Sequence, residues 1–251
     1  MQFDILGPLR VIDTAPVPVT GKRRRILLVA LLAHANSTVA NAELVDWLWP
    51  RRPPRSARAT LHAYVSTLRR VVEPQRAPRR PCRRLLTEAN GYLLRVELDE
   101  LDVMRFERLV ASARSALGAE DARRAYDLAT EALALWRGPA LADGAHVEAA
   151  RGEITRLEEL RLTALTVRIE AALALRRHLE VVPELTRLVV RHPLHERFYV
   201  LLMIALSGSG RRADALAVYK RARNVLAREL NVTPGRALRL TEAAILAGEL
   251  D

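Results

Sequence analysis

Apolar residues change their spacing several times along the first hundred positions, and each change predicts a new element. Up to Val19, apolar and polar residues alternate, with Phe3, Ile5, Leu9 and Val11 on the apolar positions. This alternation predicts two or three short strands, which end where prolines interrupt the pattern. An uninterrupted apolar run then follows.

The segment GKRRRILLVALLAHANS, residues 21–37, places four basic residues directly before eight apolar ones. This order imitates a secretion signal. However, the segment follows predicted strands, and eight apolar residues are too few to span a bilayer. The sequence therefore favours the first helix of a folded domain, with its basic first turn in solvent. Positive charge in a first turn opposes the helix dipole, and a nearby phosphate would relieve that conflict.

Two further helical segments follow, and a proline-rich loop separates them. Asn41 is predicted to cap a helix that runs to Trp49. Residues 50–54, with the sequence PRRPP, cannot continue this helix and are predicted to form a loop. Residues 55–72 then have apolar side chains at three- and four-residue spacing, which predicts a long amphipathic helix.

The two faces of this long helix differ in chemistry. Its apolar face comprises Ala57, Leu61, Tyr64, Val65, Leu68 and Val72. The opposite face carries Arg55, Ala59, His62, Ser66 and Arg70, with Arg58 and Arg69 on its flank. A helix that enters the major groove of DNA needs long donors together with small residues that let its backbone approach. The basic face fits this requirement, although an ordinary solvated face is an alternative with the same composition.

A hairpin is predicted beyond a proline- and arginine-rich loop. The stretch RRLLTEANGYLLRV is typical of strand, turn and strand, and we expect Asn90-Gly91 to form the turn because both residues tolerate positive φ. Strands, three helices and a terminal hairpin together describe a winged helix. In that arrangement the last long helix reads DNA, and the hairpin is the wing.

Charge supports a polyanion as the partner of the first part of the chain. Residues 1–96 contain 17 Lys and Arg against 6 Asp and Glu, whereas residues 97–251 contain 23 of each, so the net charge of +11 lies entirely in the first part. All but two of the basic residues are arginine, which suits bidentate contact with phosphate and guanine, although a GC-rich coding bias also favours arginine. Cys82 is the single cysteine, so a reducing compartment is expected.

Beyond the acidic joint ELDELD, residues 97–102, the sequence is helix-forming throughout and contains a repeat. Positions 176, 181, 185, 188 and 193 recur 34 residues later as Gly210, Ala215, Tyr219, Ala222 and Ala227. This period is typical of tetratricopeptide hairpins, which stack and leave a concave surface. That surface is a site for protein binding or, alternatively, part of a scaffold without a ligand.

No catalytic or metal-binding pattern is visible in the sequence. The six histidines are joined by no cysteine pair or carboxylate–histidine motif, and the two in HPLH are separated by a proline, which favours cap or surface positions. No phosphate-binding glycine motif occurs, and GSGR at residues 208–211 is typical of a turn between helices. We therefore predict that the protein is not an enzyme and binds no cofactor and no metal.

Several segments, taken in order, resemble the Streptomyces antibiotic regulatory protein family, whose members activate secondary-metabolism gene clusters. These segments are FDILGPLRV, ELVDWLWP, ATLHAYVSTLRR, LLTEANGYLLRVELDELDVMRFERLV, LWRGPALAD and ARELNVTPGRALRLTEAAIL. The resemblance covers nearly the whole chain. It implies a mainly α protein, with a response-regulator-type winged helix-turn-helix (α+β) in residues 1–96. An all-helical, tetratricopeptide-like bacterial transcriptional activation domain would follow in residues 97–251.

The pattern and the resemblance together predict a sequence-specific DNA-binding activator of a biosynthetic gene cluster. The residues expected to hold phosphates are Lys22, Arg23, Arg24, Arg25, Arg58 and Arg69. Those expected to read base edges are Arg55, His62, Ser66 and Arg70. The wing residues expected to meet an adjacent groove are Arg84, Asn90 and Tyr92. Response-regulator wings usually carry arginine at the tip, whereas this chain has Glu88, and a carboxylate near phosphate disfavours insertion of the wing.

The resemblance also implies partners. Relatives bind direct repeats in double-stranded DNA near the promoter −35 region, commonly as a side-by-side pair, and recruit RNA polymerase holoenzyme through its sigma factor. By resemblance, the candidate contact with polymerase is the loop of Pro50, Arg51, Arg52, Pro53 and Pro54. We expect a homodimer on DNA, a cytoplasmic, nucleoid-associated location and no membrane partner. Two alternatives stay open: a repressor with the same DNA chemistry, and a tetratricopeptide-type adaptor whose basic half binds another acidic partner.

Overall fold

The computed structural model describes residues 1–75, 77 and 80–249. In the described N-terminal part, short strands alternate with three helices. These elements are β1 (Gln2–Asp4), β2 (Arg10–Ile12), α1 (Lys22–Ala33), β3 (Thr38–Ala40), α2 (Asn41–Leu48), α3 (Ala57–Val72), β4 (Leu85–Glu88) and β5 (Gly91–Leu94). This order is that of a winged helix-turn-helix and confirms the expected fold of the N-terminal part.

The remainder of the described chain is helical. Its helices are α4 (Asp102–Gly118), α5 (Ala122–Ala134), α6 (Arg151–Ala174), α7 (His178–Arg191), α8 (Glu196–Ser207), α9 (Arg212–Leu230) and α10 (Arg236–Ala247). Two single 3-10 turns, Ala142–Gly144 and Glu148–Ala150, lie between α5 and α6. The mainly α prediction is confirmed. Among the described helices, none has the length and apolar character needed to cross a membrane.

Two small antiparallel sheets belong to the winged helix. β1 pairs with β2, with Phe3 opposite Val11. The second sheet has the strand order β3-β5-β4, so β4 forms one of its edges. The hairpin of β4 and β5 is the predicted wing, and its two-residue turn at positions 89 and 90 separates Glu88 from its register partner Gly91.

The reason for the glycine in the wing differs from the one predicted from the sequence. Neither Asn90 nor Gly91 has a positive φ. Instead, β3 passes so close to Gly91 that an added Cβ would lie 2.0 Å from the carbonyl oxygen of Val39. The wing therefore needs glycine for the close approach of another strand rather than for the conformation of its turn.

The apolar run after the basic segment forms the interior of α1. Residues 26–32 of this helix are all buried, as expected for a helix of a folded domain. The cap of α2 was predicted wrongly: Ala40 is the N-cap, and no side-chain cap hydrogen bond is made. β3 leads directly into α2, so Asn41 is already helical, and its amide donates to the carbonyl of Asn90 in the wing turn at 2.9 Å.

The chain divides into two compact units that do not follow the expected boundary between residues 96 and 97. The first, here called the winged-helix unit, comprises residues 1–110 and 131–162. The second, here called the repeat unit, comprises residues 111–130 and those from 163 onward. Part of the helical half of the sequence thus belongs to the same unit as the winged helix.

Hydrogen bonds to the residues just after β1 explain why the winged-helix unit extends past residue 96. The amide of Arg137 donates to the carbonyl of Leu6 at 2.8 Å, and that of Leu141 donates to the carbonyl of Ile5 at 2.9 Å. Asp102 is 2% exposed and accepts the amides of Ile5 and Leu6 at 2.8–2.9 Å. Buried backbone groups just after β1 therefore find partners beyond the expected boundary, in α4 and in the segment after α5.

Three equivalent turns lead into α5, α7 and α9 in the repeat unit. Glu120, Arg176 and Gly210 each lie two residues before one of these helices, with φ of 60°, 61° and 74°. In each turn the next amide donates to the carbonyl five residues earlier at 2.8–2.9 Å, namely Asp121 to Ala116, Arg177 to Ala172 and Arg211 to Leu206. The last two turns are 34 residues apart, and the predicted repeat period is confirmed.

Matching positions of the repeats are buried. On α7 and α9 these positions are Val181, Leu185 and Leu188, and Ala215, Tyr219 and Ala222. The two histidines of HPLH lie at helix ends: His192 is the C-cap of α7, and His195 is the N-cap of α8. The repeat unit therefore has the helical-hairpin construction read from the sequence.

Candidate DNA-binding surface

Helix α3 is anchored by one face. Its buried residues are Ala57, Leu61, Val65, Leu68 and Val72, each at most 7% exposed. Tyr64, which was expected on this face, is half-buried. The helix begins at Ala57 rather than at Arg55, because the carbonyl of Ser56 accepts the first helical hydrogen bond, from the amide of Thr60 at 2.9 Å.

The opposite face of α3 and the turn before it are open to solvent and basic. The exposed residues are Arg55, Arg58, Ala59, His62, Ser66 and Arg70. No carboxylate in the described part of the chain pairs with Arg55, Arg58 or Arg70. The small residues lie between the long ones, so the helix backbone can approach a groove while the arginines reach base edges or phosphates.

Three of the predicted DNA contacts lie where the wing packs beside α3: Arg69 and His62 on the helix and Tyr92 on the wing. Arg69 donates from Nε to the carbonyl of Leu85 at 3.0 Å and from Nη2 to the hydroxyl of Thr87 at 2.7 Å. The ring of His62 meets the ring of Tyr92 edge-on, with 6.3 Å between the centroids. Tyr92 is 5% exposed, and burial raises its pKa. Its ring therefore faces the interior.

Three of the four basic residues in the first turn of α1 have no carboxylate partner in the described part of the chain. Lys22 and Arg23 are exposed, and Arg24 is half-buried. The guanidinium of Arg23 lies 5.6 Å from the centre of the Trp49 ring. The turn contains no acidic residue and has no side-chain cap, so these cations add to the positive end of the helix dipole. The unfavourable interaction of these cations with the helix dipole, which the sequence predicted, is therefore present, and a bound anion would relieve it.

Arg25, the fourth residue of this turn, is held by an internal carboxylate. Its Nε and Nη2 donate to the two carboxylate oxygens of Asp143 at 2.5 and 3.0 Å, and Nη2 also donates to the carbonyl of Leu9 at 2.9 Å. Burial favours a higher pKa for Asp143, but the hydrogen bonds from Arg25 and from the Leu9 amide outweigh it and lower the pKa. A phosphate would have to compete with this ion pair.

Arg84 is likewise paired inside the winged-helix unit. Its two terminal nitrogens each donate to Glu100 at 2.6 Å. Glu100 also accepts the amine of Met1 and the amide of Glu97. Burial alone would raise the pKa of Glu100, but these donors hold it at about 2. Of the three wing residues expected to reach DNA, Asn90 alone is both exposed and outside such contacts.

The loop between α2 and α3 is exposed along residues 50–54. Arg51 and Arg52 make no ion pair with any described residue. The prolines on both sides restrict the backbone of this short loop. The loop therefore presents two exposed guanidinium groups, without an ion pair to any described residue, just before α3.

Sequence reasoning missed the roles of three residues that organise this surface. Thr87 lies in the predicted wing, but nothing in the sequence pairs it with Arg69. Asp143 lies in LWRGPALAD, one of the segments that carry the family resemblance, and Glu100 lies in the acidic joint ELDELD. An acidic residue inside each of these segments is the one signal that the sequence offers for the last two.

Two family models match the chain. The model described as "Transcriptional regulatory protein, C terminal" matches residues 15–94. The model described as "Bacterial transcriptional activator domain" matches residues 101–246. The first covers the surface described above, and the second covers most of the helical remainder.

Similar proteins come from Streptomyces and Mycobacterium species. "Regulatory protein DnrI" of Streptomyces peucetius is 38% identical, over 99% of this chain and 93% of DnrI. "Transcriptional regulator RedD" of Streptomyces coelicolor is 38% identical, over 98% of this chain and 71% of RedD. The chain also matches "Regulatory protein AfsR" of Streptomyces griseus at 38% identity, but spans only 25% of its length.

A solved structure of a relative has the same fold. It is described as "Mycobacterium tuberculosis EmbR in complex with low affinity phosphopeptide", and it superposes with a TM-score of 0.91 at 34% identity. The similarity covers 98% of this chain and 65% of that one. Together with the family models and the near full-length match to DnrI, it leads to one conclusion. The chain belongs to the Streptomyces antibiotic regulatory protein family of transcriptional regulators.

Proposed function

We propose that this protein is a sequence-specific DNA-binding activator of transcription and that α3 is its reading helix. The observation that carries the proposal is the division of α3 into a buried apolar face and an exposed face with unpaired arginines. The residues proposed to read base edges are Arg55, His62, Ser66 and Arg70. Those proposed to hold phosphates are Lys22, Arg23, Arg24 and Arg58. Family membership supports the assignment to transcriptional regulation.

Four residues expected from the sequence are left out of this proposal. Arg25 and Arg84 are engaged by Asp143 and Glu100, and Arg69 is engaged by the wing. The ring of Tyr92 is buried. Of the predicted wing contacts, Asn90 is the one that stays exposed and available to DNA. The exposed carboxylate of Glu88, two residues before it, disfavours entry of the wing into the minor groove.

Binding to two direct repeats by a pair of copies, followed by recruitment of RNA polymerase, is the proposed route to activation. The exposed loop of residues 50–54 is the proposed contact with the polymerase holoenzyme, including its sigma factor. Its exposure and the unpaired side chains of Arg51 and Arg52 support this assignment. The names of DnrI and RedD support a role in regulation, and membership of the antibiotic regulatory protein family supports control of a biosynthetic gene cluster.

The DNA-binding part is tested by the affinity of the full chain for duplex fragments upstream of its neighbouring genes. We expect one fragment to bind at least about a thousandfold more tightly than random duplex of equal length at the same salt concentration. Footprinting of that fragment would then show whether the protected site is a direct repeat. Equal affinity for all fragments would contradict sequence-specific binding.

The activation part is tested by run-off transcription from the bound promoter. We expect added protein to increase the transcript, whereas a repressor would decrease it. Replacing both Arg51 and Arg52 with alanine should reduce transcription more than DNA binding. An equal loss of both would identify the loop as a DNA contact instead of a polymerase contact.

A further inference from the structure

Two residues of α3 that share one stripe of the helix both contact the wing. His62 and Arg69 are seven residues apart and therefore lie on the same side of α3, two turns from each other. His62 meets Tyr92 of β5, and Arg69 bonds to Leu85 and Thr87 of β4. The stripe thus contacts both strands of the hairpin, and Thr87 and Tyr92 are register partners within it.

The hydrogen bond from Arg69 to Leu85 satisfies a backbone carbonyl at the edge of the sheet. β4 lies at the edge of the three-stranded sheet. Just before it, the carbonyl of Arg84 accepts the amide of Arg95, the residue that follows β5, at 2.8 Å. Because the direction of backbone groups alternates along a strand, the carbonyl of Leu85 faces away from β5. An edge carbonyl needs a partner outside the sheet, and the Nε of Arg69 provides it.

From this geometry we infer that Arg69 is a positioning residue that fixes the wing against the reading helix, rather than a phosphate contact. Its planar guanidinium spans two acceptors on one side of β4, the Leu85 carbonyl and the Thr87 hydroxyl. Lysine cannot reproduce this two-point contact, because its ammonium group is a single point of charge. The inference deepens the proposed DNA-binding function, and its effect on DNA affinity rests on that function. The contact of Arg69 with β4 itself exists without DNA.

The charge of the wing makes the two roles of Arg69 separable. The tip consists of Glu88, Ala89 and Asn90 and carries no cation. A displaced wing therefore removes shape and hydrogen-bonding complementarity without removing a phosphate contact. A phosphate contact at Arg69, in contrast, would contribute about 0.9 to the slope of log affinity against log salt concentration.

The first test measures amide hydrogen exchange over residues 85–92 in the full chain without DNA. We expect Arg69→Lys, Arg69→Ala and Thr87→Val each to speed exchange of this hairpin, by about tenfold for the arginine variants, which corresponds to the loss of a charge-assisted hydrogen bond. The matched control is Arg70→Ala, the neighbouring exposed arginine, which should leave the exchange unchanged. Wild-type exchange in both arginine variants would overturn the inference, whatever the protein does on DNA.

The second test uses the same variants on the specific DNA fragment over a salt series. We expect Arg69→Lys and Thr87→Val to weaken specific binding several-fold while the salt slope stays at its wild-type value. Combining Thr87→Val with Arg69→Ala should add little to Arg69→Ala alone, because both remove one contact. Wild-type affinity in Arg69→Lys, together with a flatter slope in Arg69→Ala, would make Arg69 a phosphate contact and overturn the positioning role. Failure of the wild type to bind any fragment specifically would instead contradict the proposed function. The exchange result would still decide whether Arg69 fixes the wing against α3.

Discussion

The arginines around α3 and those around the N-terminal sheet have the same chemistry but different surroundings. Within the described chain, Arg55, Arg58 and Arg70 have no carboxylate partner. In contrast, the paired arginines are Arg10 with Asp4, Arg25 with Asp143 and Arg84 with Glu100. An unpaired guanidinium at the surface can exchange water for phosphate or a base, whereas a paired one must first lose its internal partner. Residue type therefore says less about a DNA contact than the presence or absence of a carboxylate neighbour.

The net charge of the two folded units also differs from what the two halves of the sequence indicate. Residues 97–110 and 131–162 belong to the winged-helix unit and contain 6 basic and 11 acidic residues. With them, the winged-helix unit has 23 basic and 17 acidic residues, a net charge of +6, and the repeat unit has 17 and 12, a net charge of +5. The strict charge division along the sequence is thus absent from the folded units, because acidic segments from the second half join the winged helix.

The largest expected effect separates the two faces of α3. Leu68 is fully buried, so Leu68→Ala should lower the free energy of unfolding by about 2–5 kcal/mol. Arg70→Ala, two positions away on the exposed face, should change it by less than about 0.5 kcal/mol. Urea unfolding of both variants measures the difference. Comparable losses would mean that the exposed face supports the fold instead of serving a ligand.

A smaller effect distinguishes base contacts from phosphate contacts among the unpaired residues. Arg55→Ala and His62→Ala should each weaken specific binding by about 1–3 kcal/mol and relax the preference for one base pair. Arg58→Ala should instead weaken binding to every sequence alike and flatten the salt slope by about 0.9. Affinities for specific and random duplex over a salt series provide the measurement. Retained affinity and specificity in both Arg55→Ala and His62→Ala would make this face an ordinary solvated surface.

Neighbouring residues of α1 allow the comparison of paired and unpaired arginines to be tested directly. Arg25→Ala removes the partner of Asp143 and should lower the free energy of unfolding by about 1–2 kcal/mol. Arg24→Ala, which removes no ion pair between described residues, should leave stability nearly unchanged and weaken DNA binding. Thermal or urea unfolding, with DNA affinity measured in parallel, checks both expectations. The reverse pattern would restore Arg25 to the DNA surface and remove Arg24 from it.

Local sequence pattern predicted what depends on nearby residues. Apolar spacing identified α1, both faces of α3 and the strands of the wing, because helices and strands present side chains at fixed periods. The partner of Arg25 was out of reach of that reasoning, since Asp143 lies 118 residues further along the chain. Gly91 shows an intermediate case. The hairpin was predicted, but its two-residue turn lies one position earlier than expected, and the approach of β3 that requires glycine is a tertiary contact. The first compact unit crosses the expected boundary for the same reason: just after β1, backbone amides donate to Asp102, and backbone carbonyls accept amides of the segment after α5.

The smallest expected effect concerns pH and the pair of Arg84 and Glu100. The pKa of Glu100 is held at about 2, below its ordinary value, so its carboxylate favours the folded state. This contribution is present above about pH 4.5, where the unfolded chain also carries the charge, and it is lost as the pH falls through about 2. The difference in unfolding free energy between wild type and Glu100→Gln should therefore be constant near neutral pH and shrink on acidification. The side chains of Arg84 and Glu100 are 29% and 15% exposed, so solvent screens the pair and its contribution is smaller than that of a fully buried contact.

Asp99 provides a matched control for this pH experiment, because its ion pair with Arg108 is largely exposed on both sides. Asp99→Asn should show little stability difference from wild type at any pH, since exposed pairs contribute little. Unfolding curves for wild type and the two variants at several pH values between 2 and 7 give the comparison. If Glu100→Gln behaved like Asp99→Asn throughout, the carboxylate would not hold Arg84. Arg84 would then belong with the unpaired arginines that are available to DNA, as the sequence had suggested.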